Sequence, residues 1–276
     1  MILDEIDSTI RKINSELLQS GEKRSVIWLI GDNICTHARC THCSLSDRTF
    51  REDLRNLSRN INGYKKFEAD LLKCDFRETP VLSLYLMGSF YNEQEINKDL
   101  RRKILQKVRE EKHIEKLIVE TRPEFIDRDK IAETEDIMSG KTVEIGTGLD
   151  HLNETYRNKY LNKNITLEDY EKCTEILKNS SIKQITYVAA GCPYLDEERA
   201  VESAVETSIY AINRGSYIIS IEPLIIQKGT IQGKLYREGK IQLLSQQSIV
   251  KITEEIHKYT DSHYELRTGG IVQAPV

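Results

Sequence analysis

The sequence has no long apolar run, which argues against a membrane-spanning protein. Its longest apolar stretches, "VIWLI" and "YIISIEPLII", are too short or too interrupted to cross a bilayer, which takes about 20 apolar residues. The opening segment "MILDEIDSTIRKINSELLQS" lacks the charged stretch and apolar core of a secretory signal, and its pattern predicts an amphipathic helix. We therefore expect a protein that stays in the cytoplasm, with no membrane partner.

The sequence also has no excess of positive charge. It carries 40 Lys and Arg against 44 Asp and Glu, a formal net charge of −4. Because proteins that bind nucleic acids mainly through phosphates are usually basic, this balance disfavours such a partner. The basic segments "RNLSRNINGYKK" and "KDLRRKILQKVREEKH" are interpreted as solvated helix faces, with a local basic patch as the alternative.

The pattern of apolar segments predicts an α/β fold. Six apolar strands are each followed by a helical pattern, which is typical of repeated βα units and a parallel sheet. The strands are "SVIWLIG", "VLSLYLMGS", "IEKLIVET", "KTVEIGTGLD", "IKQITYVAAG" and "SYIISIEPLII", and "HYELRTGG" is a candidate for a late short strand.

The first strand is followed by cysteines, and the glycine fingerprint of dinucleotide-binding folds is missing there. This favours a partial (β/α)6 TIM-like barrel over an open doubly wound sheet. The length of 276 residues fits a single domain. We expect an N-terminal helical extension over residues 1–24, a barrel core over 25–255 and a C-terminal extension over 256–276.

The cysteine loop "GDNICTHARCTHCSLSDRTF" holds Cys35, Cys40 and Cys43 within nine positions. In a reducing compartment, clustered thiols indicate metal binding or catalysis rather than disulfides. Structural zinc normally takes four ligands in two separated pairs, so a zinc site here would need His37 or His42 as a fourth ligand within the same short loop. A 4Fe–4S cubane can be held by three thiolates, which leaves the fourth iron for a non-protein ligand. The cubane is favoured, and zinc is the alternative.

A three-cysteine loop after the first strand of a βα barrel resembles the radical S-adenosylmethionine superfamily. Other segments resemble the radical domain shared by the archaeosine synthase radical subunit and the elongator-type tRNA enzymes: "MGSFYNEQEI", "IVETRPEFID", "VEIGTGLDHLNETYRNKYLNKNIT", "IEPLIIQKGT" and "LYREGK". The similarity runs from about residue 27 to about residue 255. The loop departs from the commonest family spacing by one extra residue, and His42 stands where the family often has an aromatic side chain.

The resemblance implies that Cys35, Cys40 and Cys43 hold a 4Fe–4S cluster whose open iron binds S-adenosylmethionine. An electron from an external donor of the flavodoxin or ferredoxin type then cleaves the sulfonium. The resemblance also implies further contacts with the cofactor: Gly88, Ser89 and Phe90 with the methionyl amino group, Glu120 and Asp150 with the ribose, Arg122, Arg157 and Lys163 with the carboxylate, and Gly229 at the rim over the adenine.

Each of these contacts has an ordinary structural alternative. Gly88 fits a plain turn, Glu120 and Arg122 could pair with each other, and the basic side chains could be solvated helix charges. Cys192 and Tyr194 follow the fifth strand and are the candidates for catalytic residues, with packing in a turn as the other interpretation. Cys74 and Cys173 fit buried small hydrophobes. No metal spacing involves the remaining histidines, which are His113, His151, His257 and His263.

Three reactions are compatible with these residues. The favoured one is radical chemistry on a small-molecule substrate, because the chain is compact and slightly acidic. The second is modification of tRNA of the archaeosine-synthase type, which would predict a basic rim and a partner that brings the tRNA. The third is transfer of a 3-amino-3-carboxypropyl group after cleavage of a different carbon–sulfur bond. A zinc-stabilised binding module is the non-enzymatic alternative.

Overall fold

The computed structural model describes residues 23–259 and 264–269. The predicted N-terminal helix lies almost entirely outside these residues, as does much of the predicted C-terminal extension. Across the described ranges, no helix is both long enough and apolar enough to cross a membrane.

Seven strands form one sheet whose strand order follows the chain from β1 to β7. They are β1 (Arg24–Leu29), β2 (Val81–Leu86), β3 (Lys116–Thr121), β4 (Thr142–Asp150), β5 (Lys183–Ala190), β6 (Ile218–Pro223) and β7 (Glu265–Thr268). Each of the seven matches a predicted strand. The α/β class with a parallel sheet of the partial-barrel type is therefore confirmed.

Eight α-helices lie in the described ranges: α1 (Arg48–Asn60), α2 (Gly63–Leu71), α3 (Lys98–Glu110), α4 (Arg128–Ile137), α5 (Leu167–Lys178), α6 (Glu197–Arg214), α7 (Ile231–Arg237) and α8 (Gln246–Tyr259). Several begin where a short polar side chain accepts a hydrogen bond from the first turn. Asn97 caps α3 and Asp127 caps α4 in this way. Thr166 and Asp169 form a reciprocal capping box at α5.

The described residues fall into two compact units. The first unit takes in 23–36, 54–146 and 180–182, and the second takes in 37–53, 147–179, 183–259 and 264–269. The single-domain organisation therefore stays a prediction.

In the first unit, β2 pairs in parallel with both β1 and β3. Five of the six residues of β2 are buried, and Leu82, Leu84 and the polar Ser83 almost completely so. A strand that is buried along nearly its whole length is typical of parallel sheets that are covered on both faces.

In the second unit, β6 pairs in parallel with both β5 and β7. One apolar core joins these strands to α6 and α8, and it includes Val188, Ala204, Ile219, Ile221, Ile252 and Ile256. Helix α6 is capped at its C-terminus by Gly215, whose φ of 110° is a left-handed conformation that glycine adopts without strain.

Candidate functional site

The first part of the cysteine loop belongs to the first unit, and it packs against the turn after β2. The Cys35 N–H donates to the carbonyl of Met87 at 2.6 Å. A methyl group on Gly88 would come within 3.1 Å of the Cys35 nitrogen and would overlap the Glu95 carboxylate. Glycine at position 88 therefore allows the two segments to approach this closely.

Glu95 is a fully buried carboxylate that the sequence analysis did not single out. Its Oε1 accepts from the Thr36 N–H at 2.7 Å, from the Thr36 hydroxyl at 2.8 Å and from Asn92 Nδ2 at 2.7 Å. Its Oε2 accepts from the Ser89 N–H at 2.5 Å. Glu95 thus connects the residue after Cys35 with the turn that the resemblance assigns to the cofactor.

The second part of the cysteine loop belongs to the second unit, where Thr41 is its main anchor. The Thr41 N–H donates to the Leu161 carbonyl at 3.0 Å, and its hydroxyl donates to the Tyr160 carbonyl at 2.8 Å. These carbonyls lie at the end of a π-helical turn, Thr155–Tyr160, which the sequence did not predict. π-Helical turns occur frequently at functional sites.

His37 is also bound to this turn, because its Nε2 lies 2.6 Å from the Asn162 carbonyl. A carbonyl only accepts, so Nε2 carries the proton and donates. A nitrogen engaged in this way is not available to a metal, and this argues against His37 Nε2 as the fourth ligand of a zinc site.

All six cysteines lie in the described ranges and none is in a disulfide. Cys35, Cys40 and Cys43 are half-buried. Among residues 23–259 and 264–269, no group of three or more His, Cys, Asp or Glu side chains is arranged as a metal site, so a cluster on these cysteines stays a prediction. The donor chemistry does fit an iron–sulfur cluster, because the loop offers three thiols while hydrogen bonds fix its backbone.

Gly88, Ser89 and Phe90 form the turn after β2 in the first unit. The Phe90 N–H donates to the Glu120 carbonyl at 2.9 Å, and the Ser89 hydroxyl accepts from the Arg122 N–H at 3.1 Å. The structure thus brings five predicted contacts of this unit together at the ends of β2 and β3. The Arg122 side chain donates to Glu124 at 2.6 Å.

Asp150 and Lys163 form an ion pair in the second unit, with Nζ 2.6 Å from Oδ2. Asp150 ends β4 with a φ of 61°, a left-handed conformation that Asp and Asn adopt more readily than most residues. The lysine passes over Gly148, where a methyl group would overlap its Nζ. Gly148, the second glycine in "IGTGLD", therefore makes room for the side chain of Lys163.

Arg157 is the buried residue of the π-helical turn, and its side chain binds the backbone. Its guanidinium donates to the carbonyls of His151, Leu152 and Ile165 at 2.7–3.1 Å. Burial lowers the pKa of the guanidinium, and the nearby Glu154 carboxylate opposes that shift. A contact with the methionyl carboxylate stays a prediction for this residue.

Burial favours the neutral form of both His42 and His151. Burial lowers the pKa of His42; the Asp150 carboxylate opposes that shift and the Lys163 ammonium adds to it. Burial, followed by the charge of Arg157, lowers the pKa of His151 to about 4. Neither His42 Nδ1 nor His151 Nε2 has a hydrogen-bond partner in the described part of the chain.

The two candidates for catalytic residues differ in exposure. Cys192 is buried, and burial together with the Asp150 charge raises the pKa of its thiol, so it is protonated at neutral pH. Tyr194 is 58% exposed, with its ring centroid 5.1 Å from that of Tyr160. Gly229 has a φ of 78° and lies against Asp47 in the same unit.

Cys173 is buried, as expected of a small hydrophobe, and Cys74 is half-buried.

The chain is similar in sequence to several known proteins. No protein-family model matches the chain. Over 177 residues the chain is 29% identical to an uncharacterized protein of Methanocaldococcus jannaschii, a match that covers 64% of this chain and 48% of that protein. It is 27% identical to archaeosine synthase subunit beta of Methanosarcina acetivorans (63% and 50% covered) and 30% identical to that of Thermococcus kodakarensis (61% and 52% covered). The chain spans about half the length of these curated relatives.

Solved structures share the fold at low sequence identity. Streptococcus suis SuiB bound to S-adenosylmethionine gives a TM-score of 0.61 at 14% identity, with 95% of this chain and 53% of that chain covered. Methylornithine synthase gives 0.59 at 11% identity (91% and 73% covered), and the Elp3 of Methanocaldococcus infernus gives 0.54 at 16% (78% and 53% covered). These likenesses show that the chain shares the fold of these structures. In sequence, the chain is similar to archaeosine synthase subunit beta, which confirms the predicted resemblance to that protein.

Proposed function

We propose that this chain is a radical S-adenosylmethionine enzyme whose Cys35, Cys40 and Cys43 hold a 4Fe–4S cluster. The observation that carries the proposal is the loop itself. Three thiols lie within nine residues directly after β1, and hydrogen bonds from Cys35, Thr41 and Cys43 already fix the loop backbone. Three thiolates in one loop with a fixed backbone are the donor set that a 4Fe–4S cluster with one open iron requires.

When bound, the cluster and S-adenosylmethionine supply the reductive cleavage of a carbon–sulfur bond that starts radical chemistry. The protein's own residues position the cofactor. Ser89 and Phe90 would offer backbone atoms to the methionyl amino group, and Asp150 and Lys163 would offer a carboxylate and an ammonium for the ribose and the methionyl carboxylate. The electron comes from an external donor of the flavodoxin or ferredoxin type. The cytoplasm remains the expected location, since a reducing compartment keeps the thiols available.

The substrate in this proposal is a small molecule, supported by the net charge of −4. A second candidate is modification of tRNA of the archaeosine-synthase type, which is favoured by the names of two relatives at 27% and 30% identity. Transfer of a 3-amino-3-carboxypropyl group is a third candidate.

The products of cofactor cleavage test the proposal. Anaerobic incubation of the reconstituted chain with dithionite and S-adenosylmethionine should release 5′-deoxyadenosine and methionine. Methylthioadenosine in their place would support 3-amino-3-carboxypropyl transfer. Binding of bulk tRNA that persists at physiological salt would favour the second substrate over the small molecule, because purely electrostatic binding weakens steeply with salt.

A further inference from the structure

Glu95 is a buried carboxyl group whose partners in the described part of the chain are hydrogen-bond donors. Its side chain has no exposed surface, and no cation pairs with it among the described residues. A buried carboxylate is costly unless its lone pairs are satisfied. Here Oε1 accepts three hydrogen bonds and Oε2 accepts one.

The two oxygens serve different segments of the first unit. Oε1 holds Thr36, the neighbour of Cys35, through both its N–H and its hydroxyl. Oε2 holds the N–H of Ser89, in the turn that the resemblance assigns to the methionyl amino group. Asn92 supports the first side, because its Nδ2 donates to Glu95 Oε1 and to the Thr36 hydroxyl.

Two glycines leave the space that the side chain and the carbonyl of Glu95 occupy. A methyl group on Gly88 would overlap Glu95 Oε2, and one on Gly31 would overlap the Glu95 carbonyl. That carbonyl accepts from the Asn33 N–H at 3.1 Å, so the backbone of Glu95 also fixes the start of the cysteine loop. Both segments are therefore built around this one residue.

We propose that Glu95 is a positioning residue that fixes the Cys35 segment and the 88–90 turn in one frame. The inference rests on the proposed function, and it gives each carboxyl oxygen of Glu95 a separate role. Oε1 places the first cysteine for the cluster, and Oε2 places the backbone that meets the methionyl amino group.

The substitution Glu95→Gln separates the role of Oε1 at Thr36 from the role of Oε2 at Ser89. The amide keeps one oxygen, which satisfies most donors when it faces Thr36 and Asn92, and its NH2 then faces the Ser89 N–H. A donor facing a donor makes no hydrogen bond. Glu95→Ala removes both acceptors.

Hydrogen–deuterium exchange of the chain without a cluster measures how well the Thr36 and Ser89 amides are protected by their hydrogen bonds to Glu95. In Glu95→Gln we expect the Ser89 amide to exchange about ten- to a hundredfold faster, with Thr36 nearly unchanged, and in Glu95→Ala we expect both to accelerate. After reconstitution, Glu95→Gln should keep wild-type iron content but bind S-adenosylmethionine about tenfold more weakly, whereas Glu95→Ala should also lose iron.

Glu144→Gln is the matched control, because Glu144 is another buried glutamate of the same unit, paired with Lys116 at 3.1 Å. It should leave exchange at Thr36 and Ser89 as in the wild type. The inference would be overturned if Glu95→Gln showed wild-type amide exchange and wild-type affinity for S-adenosylmethionine. If Glu95→Ala does not fold, the measurements on Glu95→Gln are sufficient for this test. A wild-type chain that binds no iron would instead overturn the proposed function, while the exchange data would still report the role of Glu95 in the loop.

Discussion

The Nζ atom of Lys163 lies 2.6 Å from Oδ2 of Asp150, so two residues assigned to separate cofactor contacts are joined in one ion pair. Both side chains are largely buried, with 14% and 10% of their surfaces exposed. Each residue therefore fixes the position of the other, and a change at one should affect both predicted contacts.

Replacing Asp150 with asparagine should destabilise the fold. Asparagine retains the size of the side chain and tolerates the φ of 61°, so the main change is the loss of a charge opposite Lys163. We expect the free energy of unfolding to fall by about 1–3 kcal/mol, below the loss for a fully buried pair. Urea denaturation measures it, and Glu255→Gln, in the exposed pair with Lys258, should change it by less than about 0.5 kcal/mol. Equal losses in both variants would contradict the role given to the Asp150 pair.

The buried His151 should make stability depend on pH. Its pKa is about 4 in the folded chain, against about 6.5 for an unperturbed histidine. Between these values the unfolded chain binds a proton that the folded chain does not, so stability falls as the pH drops from 6.5 toward 4 and is fully present above 6.5. The largest loss in the free energy of unfolding that this histidine can cause at low pH is about 3 kcal/mol.

The variant His151→Gln should lose most of this pH dependence, which unfolding measurements at pH 7 and pH 4.5 would show. The control is His113→Gln, since His113 is exposed, and it should follow the wild-type profile. A wild-type slope in His151→Gln would show that another group produces the acid sensitivity.

Thr41 should contribute to retention of the cluster through its hydroxyl. Thr41→Val keeps the shape and the N–H bond to Leu161, but it loses the bond to the Tyr160 carbonyl. We expect a loss of about 1–2 kcal/mol in stability and faster loss of iron from the reconstituted protein under a chelator. Thr253→Val removes a similar hydroxyl-to-carbonyl bond within α8 and should retain iron like the wild type. Equal iron loss in the two variants would exclude a specific role for Thr41.

The regular elements were predictable from the sequence because their signals are local. Apolar runs marked each strand of the sheet, and helical patterns marked the segments that follow the strands. The π-helical turn Thr155–Tyr160 was not predictable, because its side-chain pattern "TYRNKY" differs little from that of an ordinary helix or loop. Helix α7 is seven residues long, too short for a periodic signal.

The supporting residues of the site were harder to predict than the cysteines. Three thiols in one loop are rare enough to indicate a site from spacing alone. Glu95 stands in the quoted motif "MGSFYNEQEI", yet nothing local tells a buried acceptor from an exposed acid. Its role becomes visible only through contacts with Thr36, 59 positions away in the chain. The role of Thr41 likewise depends on its hydrogen bond to the Tyr160 carbonyl, 119 positions away in the chain.

The most direct test of the account is the metal content of the anaerobically reconstituted chain. We predict a brown protein with about four irons and four sulfides per chain. We also predict that Cys40→Ala loses the colour, while Cys74→Ala, outside the loop, retains it. A colourless wild-type protein that carries one zinc ion, or a Cys40→Ala variant with the full iron content, would contradict the assignment of the cysteine loop.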